Sequence, residues 1–293
     1  MQYKISHVTT YQYHSPVRVC HNYVMLTPRE EFPVECHSYR LVIRPTPQVA
    51  ARRKDSFGNT VHSFSIEESH RQLVVNASSR VTVSPRFLPA PETTLPWELS
   101  QQGIATQTDL DWFSACRYLY NSSRIRRSAE FADFAALSFT PGRPILEAAM
   151  ELNTRIHQHF KYDTQATNVM TTPEEAFRMG EGVCQDFAHV QVACLRSIGL
   201  PARYVSGYLR NMPLPGQVRL IGADQSHAWL SLYCGSGLGW VDFDPTNNCT
   251  ASTDHIPIAW GRDYSDVAPF RGVFLGGGEH QLSVSVDVCP LEH

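Results

Sequence analysis

Cys184, His227 and Asp244 have the side chains that nucleophilic thiol chemistry requires. A thiol becomes a good nucleophile when it loses its proton, and a helix N-terminus favours the thiolate through its unpaired backbone N–H groups and its dipole. Cys184 begins a predicted helix over residues 184–198, and two glycines shortly before it would let the backbone turn sharply. Cys184 is therefore the candidate nucleophile.

Cysteine catalysis also needs an imidazole that takes up the thiol proton and returns it to the leaving group. His227 begins a predicted strand and so can face a helix N-terminus from the end of a sheet. His189 is nearer in sequence, but five residues along one helix turn its side chain away from Cys184. We predict that His227 is the base and that Trp229, on the same strand, could cover the site.

The acid that orients the imidazole has two candidates, Asp242 and Asp244, which share one face of a predicted strand. If residues 235–239 form a hairpin loop, Asp244 lies three residues, or about 10 Å, from the point opposite His227, and Asp242 lies farther away. The spacing favours Asp244 but leaves Asp242 open. The amide of Asn247 is a third group that could hold the imidazole N–H.

A tetrahedral intermediate also needs hydrogen-bond donors aimed at its oxyanion. The backbone N–H of Cys184 is one candidate donor, because it would lie at the start of a helix. The phenol of Tyr162 is a second candidate, although the spacing alone does not separate this role from ordinary packing.

The first part of the chain is predicted to be all β. Short alternating runs of β-branched and aromatic residues are bounded by proline, glycine or asparagine, and they occupy residues 17–27, 38–44, 60–66 and 72–83. The segment DSFGN at 55–59 has the residues of a tight hairpin turn. The proline-rich segment 86–96 indicates a connection to a second domain.

The second part changes to helices and then to strands. A helical pattern covers residues 109–160, and Thr172, Pro173 and Glu175 form a capping-box signature for another helix before Cys184. Predicted strands follow at residues 202–209, 226–234, 240–244, 267–274 and 281–288. Helices followed by an antiparallel sheet indicate an α+β arrangement.

These patterns predict a fold with two domains. Residues 1–90 are expected to form a β-sandwich-like domain, and residues 91–290 a helical lead-in and a catalytic core of helices packed on an antiparallel sheet. Residues 291–293, with the letters LEH, are interpreted as the remnant of a cloning tag.

Composition excludes several classes of function. The chain has 293 residues, of which 42% are hydrophobic and 18% charged, and its net charge of -3 gives no field that would attract nucleic acid. No apolar run reaches the roughly 18 residues that cross a bilayer, and no signal peptide is visible. The eight cysteines are scattered, unlike those of a secreted disulfide scaffold. We expect a cytoplasmic protein without a nucleic-acid or membrane partner.

Four segments around the candidate residues resemble the transglutaminase-like superfamily. They are GVCQDFAH at 182–189, GLPARYVSGY at 199–208, SHAW at 226–229 and GWVDFDPTN at 239–247. The β-rich part resembles the N-terminal region of a bacterial branch of candidate cysteine proteases, through YKISHVTTY at 3–11, LTPR at 26–29 and DSFGN at 55–59. The resemblance covers nearly the whole chain.

The resemblance implies a papain-like core and an acyl-enzyme mechanism. The family's nucleophile falls on Cys184, its base on His227 and its acid on Asp244, so the resemblance favours Asp244 over Asp242. Gln185 is a departure, because many relatives of this branch carry arginine after the nucleophile. The resemblance implies a peptide or protein substrate and a thioester intermediate, but it does not specify what resolves the thioester.

Three functions remain open from the sequence. Hydrolysis of a peptide or other amide bond is the first, and cross-linking of glutamine to a lysine amine is the second. The third is a module that binds a partner without catalysis, which would need none of the three candidate residues. No calcium loop or Cys-x-x-Cys pair is present, and Cys249 with His255 gives only a weak zinc signature, so we expect no metal and no cofactor.

Overall fold

The structure is a computed structural model that describes residues 1–106, 110–211 and 225–291. Residue 109, with which the predicted helical segment begins, and the last two residues of the predicted tag lie outside the described residues. The chain begins with β1 (Gln2–Val24), β2 (Val34–Arg44), β3 (Val49–Lys54), β4 (Thr60–Ile66) and β5 (His70–Val83).

The middle of the chain is mainly helical. A short 3-10 turn at Pro91–Thr93 leads into this region. The elements that follow are α1 (Trp97–Thr106), α2 (Leu110–Cys116), α3 (Ala129–Ala136), α4 (Ile145–His159), β6 (Lys161–Tyr162), α5 (Pro173–Met179), β7 (Glu181–Gly182) and α6 (Cys184–Ser197). The remaining elements are β8 (Ala202–Leu209), β9 (Gln225–Tyr233), β10 (Trp240–Asp244), β11 (Cys249–Thr250), β12 (His255–Gly261), α7 (Tyr264–Val267), β13 (Phe270–Gly276) and β14 (His280–Pro290).

The capping box predicted before α5 is present. The Thr172 hydroxyl accepts the Glu175 backbone N–H at 3.3 Å, and the Glu175 carboxylate accepts the Thr172 backbone N–H at 2.9 Å. Gly180 then ends α5 with a φ of 66°, a left-handed conformation that glycine adopts without strain. Local sequence therefore specifies both ends of the helix that leads to Cys184.

A seven-stranded sheet is built around β1. The first half of β1 pairs with β5 on one side and β14 on the other, and its second half pairs with β4 and β13. Side chains of β1, β4 and β5 share one apolar cluster, which includes Val24, Phe64, Ile66 and Leu73. The prediction of a β-rich N-terminal region is confirmed.

The last two strands do not lie where the sequence predicted. Residues 267–274 and 281–288 were expected in the antiparallel sheet of the second half, but β13 and β14 pair with β1 in the N-terminal sheet. The prediction was wrong because alternation identifies a strand but not its partner. At 23 residues, β1 is long enough to pair with two strands on each side. The domain division at residues 90 and 91 stays a prediction.

The second half of the chain contains a sheet of five strands, in the order β11, β10, β9, β8, β12. All of its pairings are antiparallel. Helix α6 packs against this sheet, since Val190 and Cys194 share a buried cluster with Leu230 and Leu232 of β9. The predicted arrangement of helices on an antiparallel sheet is confirmed, and it fixes the start of α6 against the strands that carry the other candidate residues.

The hairpin between β9 and β10 has a different register from the predicted one. Tyr233 pairs with Trp240, so Cys234 belongs to the loop instead of facing Trp240. The backbone N–H of Cys234 donates to the carbonyl of Gly239 at 2.8 Å, and Gly235 and Gly239 both have positive φ. These two glycines allow the last paired residue of β9 to be Tyr233, one residue earlier than predicted.

Within the described ranges, the structure contains no helix with the length and apolar character needed to cross a membrane.

Candidate active site

Cys184 is the first residue of α6, as the sequence predicted. Val183 precedes the helix in an extended conformation, and its backbone N–H donates to the Asp186 carboxylate at 2.9 Å. The Thr167 hydroxyl donates to the same carboxylate at 2.6 Å. Asp186 therefore fixes the turn at which α6 begins, and the Cys184 thiol is held at the positive end of the helix.

Because Gly182 has no side chain, the Asp186 carboxylate can occupy the space beside it. A Cβ atom at Gly182 would lie 2.6 Å from Oδ2 of Asp186 and 3.0 Å from its Cβ, closer than van der Waals contact allows. The absence of a side chain at Gly182 is thus a requirement for the hydrogen bond that begins the active-site helix.

We expect Gly182→Ala to destabilise the protein by about 1–3 kcal/mol, because the added methyl group must displace Asp186. The free energy of unfolding measured in urea tests this expectation. Gly237→Ala is the matched control, since nothing lies within 4 Å of a Cβ atom at Gly237. Equal stability of the two variants would contradict this account of Gly182.

The His227 ring lies between the thiol and a carboxylate. Its Nε2 donates to Oδ2 of Asp244 at 2.7 Å. Because Nε2 is engaged by Asp244, Nδ1 is the nitrogen that remains available to the Cys184 thiol. Burial favours the neutral ring, but the interactions with Asp244 and Cys184 outweigh it and raise the pKa of His227 to about 10.

Asp244 is fully buried at the end of β10 and accepts five hydrogen bonds. Besides His227, Oδ2 accepts Nδ2 of Asn247 at 2.7 Å and Nε2 of His255 at 3.1 Å. Oδ1 accepts the backbone N–H groups of Thr246 and Asn247 at 3.0 and 3.2 Å. Burial opposes ionisation, but these donors hold the pKa of Asp244 well below its usual value of 3.8.

The raised pKa of His227 predicts how stability changes with pH. Folding favours the protonated ring, so this contribution is fully present below the usual pKa of 6.5 and is lost as the pH rises through about 10. We expect the difference in unfolding free energy between the wild type and His227→Gln to shrink from pH 6 to pH 10. Urea denaturation at several pH values measures it, and a difference independent of pH would contradict the assignment.

Asp242, the alternative acid, has other partners. Its carboxylate accepts the Trp229 indole N–H at 2.9 Å and the Ser231 hydroxyl. In the observed register Asp244 is diagonal to His227, a separation that two side chains on one sheet face can span. The structure therefore brings Asp244, and not Asp242, to the imidazole.

The other residues singled out in the sequence have varied positions. Asn247 donates to Asp244, so it supports the carboxylate instead of replacing it. Trp229 is fully buried beside His227 and does not form a cover over the site. Burial raises the pKa of Tyr162, and the charge on the Cys184 thiolate adds to the shift. His189 is buried, and its Nε2 accepts the backbone N–H of Tyr264.

Sequence reasoning did not assign His255 to this site. Its only sequence signal was the nearby Cys249, which suggested zinc. The donor atoms of His227, Asp244 and His255 lie within 4.8 Å of one another, a spacing that a metal ion could use. However, Nδ1 of His255 accepts the backbone N–H of Ser252 at 3.1 Å, so the ring proton lies on the nitrogen that would face the metal. The donor set fits a hydrogen-bond network better than a metal centre.

An open cleft of about 550 Å³ leads to Cys184 and His227. One wall contains the start of α6 and the start of β9, and the other contains β1 and β14 of the N-terminal sheet. Both sheets therefore contribute to the surface that a substrate would contact at the thiol. The cleft is large enough for a segment of peptide.

Comparison with known proteins identifies the class of this protein. Residues 135–245 match the transglutaminase-like superfamily, and residues 3–82 match the bacterial transglutaminase-like N-terminal region. Over 306 residues the chain is 37% identical to an uncharacterized protein of Mycobacterium tuberculosis, with 99% of this chain and 93% of that protein covered. The chain belongs to the transglutaminase-like superfamily.

Two further comparisons describe its neighbours. The fold is similar to that of a candidate cysteine protease from Cytophaga hutchinsonii, with a TM-score of 0.76 and 20% identity over 100% of this chain and 92% of that one. A shorter stretch of 93 residues is 32% identical to a protein-glutamine gamma-glutamyltransferase of Pseudomonas aeruginosa. That match covers 31% of this chain and 14% of the Pseudomonas protein.

Proposed function

We propose that this protein is a cysteine hydrolase that cleaves peptide or other amide bonds through a thioester acyl-enzyme. The observation that carries the proposal is the grouping of Cys184 and His227 in one cleft, with His227 hydrogen-bonded to Asp244 and the cysteine at a helix N-terminus. An array of nucleophile, base and orienting acid is the arrangement that acyl transfer requires. A binding module without catalysis would have no use for it.

The first half of the proposed reaction forms the acyl-enzyme. His227 holds the thiol proton on Nδ1, and the Cys184 sulfur attacks the amide carbonyl carbon. The backbone N–H of Cys184, at the start of α6, is the first candidate donor for the oxyanion, and the Tyr162 phenol is the second. When the C–N bond breaks, His227 gives its proton to the departing amine, and the acyl group remains on sulfur as a thioester.

The second half releases the acyl group. In hydrolysis, His227 removes a proton from water, the resulting hydroxide attacks the thioester carbonyl, and the free acid leaves as the thiolate is restored. Asp244 keeps the ring oriented through both halves and stabilises its positive charge. Water and a primary amine can each resolve the same intermediate.

Transfer to an amine is the second candidate function. It is supported by the similarity of a 93-residue stretch to the Pseudomonas aeruginosa protein-glutamine gamma-glutamyltransferase. The match covers only 31% of this chain, and for that reason hydrolysis remains the first proposal. Both functions use the same nucleophile, base and acid.

Mass spectrometry of the products distinguishes the two functions. Wild-type protein is incubated with a mixture of glutamine-containing peptides, with and without an added primary amine, and Cys184→Ala serves as the control. Hydrolysis predicts free-acid products whose yield is unchanged by the amine, while transfer predicts amine adducts. Absence of either product over the Cys184→Ala background, across a broad peptide library, would contradict the proposed function.

A further inference from the structure

One wall of the cleft is formed by two paired strands, β1 and β14. On one sheet face, three cross-strand pairs line the cleft that also contains Cys184 and His227. These pairs are His7 with Val286, Thr9 with Val284, and Tyr11 with Leu282. The N-terminal sheet and the last strand of the chain therefore supply the surface that would meet a substrate held at the thiol.

This wall continues an apolar core. On the same face of β14, Val286 and Val288 are buried with Ile256 of β12 in the five-stranded sheet. Beyond Val286 the stripe leaves the core, and Val284 and Leu282 are 51% and 50% exposed. An apolar stripe that is exposed only where it enters a cleft is typical of a surface that a ligand covers.

No charged side chain lines the described part of the cleft. Among its lining residues within the described ranges there is no aspartate, glutamate, lysine or arginine. The His7 ring is bonded to Thr9 at 3.0 Å and to the Tyr208 hydroxyl at 2.9 Å, and burial lowers the pKa of His7 to about 4. The wall is therefore uncharged at neutral pH, and a charged substrate group placed against it would lose hydration without gaining a partner.

We infer that the cleft binds a peptide whose residue beside the scissile amide has an uncharged, apolar side chain, which packs on Val284 and Leu282. This inference rests on the proposed function, since it assumes that the substrate carbonyl sits at Cys184. It assigns substrate recognition to β1 and β14 and makes Val284 a residue that determines specificity.

Two affinity reagents test the inference without a known substrate. Tosyl-phenylalanine and tosyl-lysine chloromethyl ketones both alkylate thiols and differ in the side chain beside the reactive carbonyl. We expect the phenylalanine reagent to alkylate Cys184 about 10-fold faster, because burial of its ring is favourable. Each rate is divided by that of the same reagent with a free thiol. Equal rates, or a faster lysine reagent, would overturn the inference.

Val284→Asp is the informative variant, and we expect it to remove most of the preference for the phenylalanine reagent. Val273→Asp is the matched control, since Val273 is 68% exposed on β13 outside the cleft and should keep the preference. Loss of preference in both variants, or in neither, would contradict a specific role for Val284.

Iodoacetamide tests the thiol separately. Slow labelling of wild-type Cys184 by this small reagent would contradict the proposed function, whereas the selectivity between the two chloromethyl ketones tests substrate recognition by β1 and β14.

A second, independent observation concerns His255 and its two ring nitrogens. The Ser252 backbone N–H can only donate, so Nδ1 of His255 accepts and the ring proton lies on Nε2. That proton points at Oδ2 of Asp244, the oxygen that also holds His227. His255 is 4% exposed, and the Trp229 ring packs edge-on against it at 5.3 Å, so its orientation is fixed on two sides.

We propose that His255 is a positioning residue that fixes the rotamer of Asp244 and thereby the ring of His227. Asn247 and two backbone N–H groups also hold this carboxylate, and His255 adds a second imidazole donor on the oxygen that holds His227. His255 does not reach the thiol in this scheme. Its effect passes through Asp244, so it acts on the rate of the chemical step and not on substrate binding.

The comparison of His255→Gln with His255→Leu tests this role. The glutamine amide can donate where Nε2 does, while leucine removes the donor at similar volume. We expect His255→Leu to lower kcat about 10-fold to 100-fold with little change in KM, and His255→Gln to retain kcat within about 5-fold. Unfolding midpoints are measured in parallel.

The pattern of the two variants decides the outcome. A drop in kcat for His255→Leu with rescue by His255→Gln, at comparable stability, supports positioning. Equal kcat for the wild type and His255→Leu would overturn it, as would a loss that appears in KM alone. If wild-type activity persists in Cys184→Ala, the proposed function fails first, and the role of His255 fails with it.

Discussion

Cys184→Ala is expected to lower amide cleavage by about 10⁴-fold or more, because no other group can form the acyl-enzyme in its place. Cys184 is the thiol that combines a helix N-terminus with an imidazole partner. Fold and stability should change little, since the residue is only half-buried. The measurement is the initial rate of product formation with the best peptide from the mass-spectrometric screen.

Cys36→Ala is the control for this prediction. Cys36 is also half-buried, but it lies on β2 of the N-terminal sheet, away from the proposed site. We expect it to retain the wild-type rate. Activity that survives in Cys184→Ala and is lost in Cys36→Ala would contradict the assignment of the nucleophile.

Asp244→Asn is expected to lower the rate of cleavage by about 10³-fold or more, because an amide in this position no longer specifies the imidazole tautomer. Three donors converge on Oδ2 of Asp244. An asparagine NH2 group in place of this oxygen could not accept any of their hydrogen bonds. The charge that stabilises protonated His227 is lost as well. The expected signature is a loss in kcat, measured at a temperature at which the variant is folded.

Asp242→Asn is the matched control, two residues away on the same strand face. Its amide oxygen can still accept one of the hydrogen bonds that Trp229 and Ser231 donate to the carboxylate. We expect a rate within about 10-fold of the wild type, with any loss explained by stability. A larger kcat effect for Asp242→Asn than for Asp244→Asn would show that the acid has been assigned to the wrong residue.

Features that depend on neighbouring residues could be predicted from the sequence. The capping box at Thr172, the start of α6 at Cys184 and the antiparallel sheet after it follow from local hydrogen bonding and alternation. The choice of His227 over His189 needed only helix geometry. The structure brings Cys184, His227 and Asp244 together, as the sequence suggested, while their catalytic roles stay a proposal.

Features that depend on distant pairing could not be predicted in this way. The partners of β13 and β14 are on β1, more than 240 residues away, and nothing in their alternation indicates which sheet they join. The predicted hairpin register was wrong by one residue because either length of loop suits its glycines. His255 was missed because its role depends on the position of β12 relative to β10, which no local pattern encodes.

The position of β14 has a consequence for function. Because the last strand pairs with the first, Val284 of β14 belongs to the lining of the cleft that contains Cys184. The N-terminal sheet is then part of the cleft and not a separate appendage. A change on either β1 or β14 should alter which substrates react, while changes in the triad should alter how fast any substrate reacts.

The most direct test of the central claim is the rate at which iodoacetamide labels each of the eight cysteines at neutral pH, resolved by peptide mass mapping. Exposure alone would make Cys249 react first, since it is exposed and Cys184 is half-buried. Activation by the helix and by His227 predicts that Cys184 reacts fastest and that His227→Ala removes this advantage. Slow labelling of Cys184 that does not respond to His227→Ala would contradict the account.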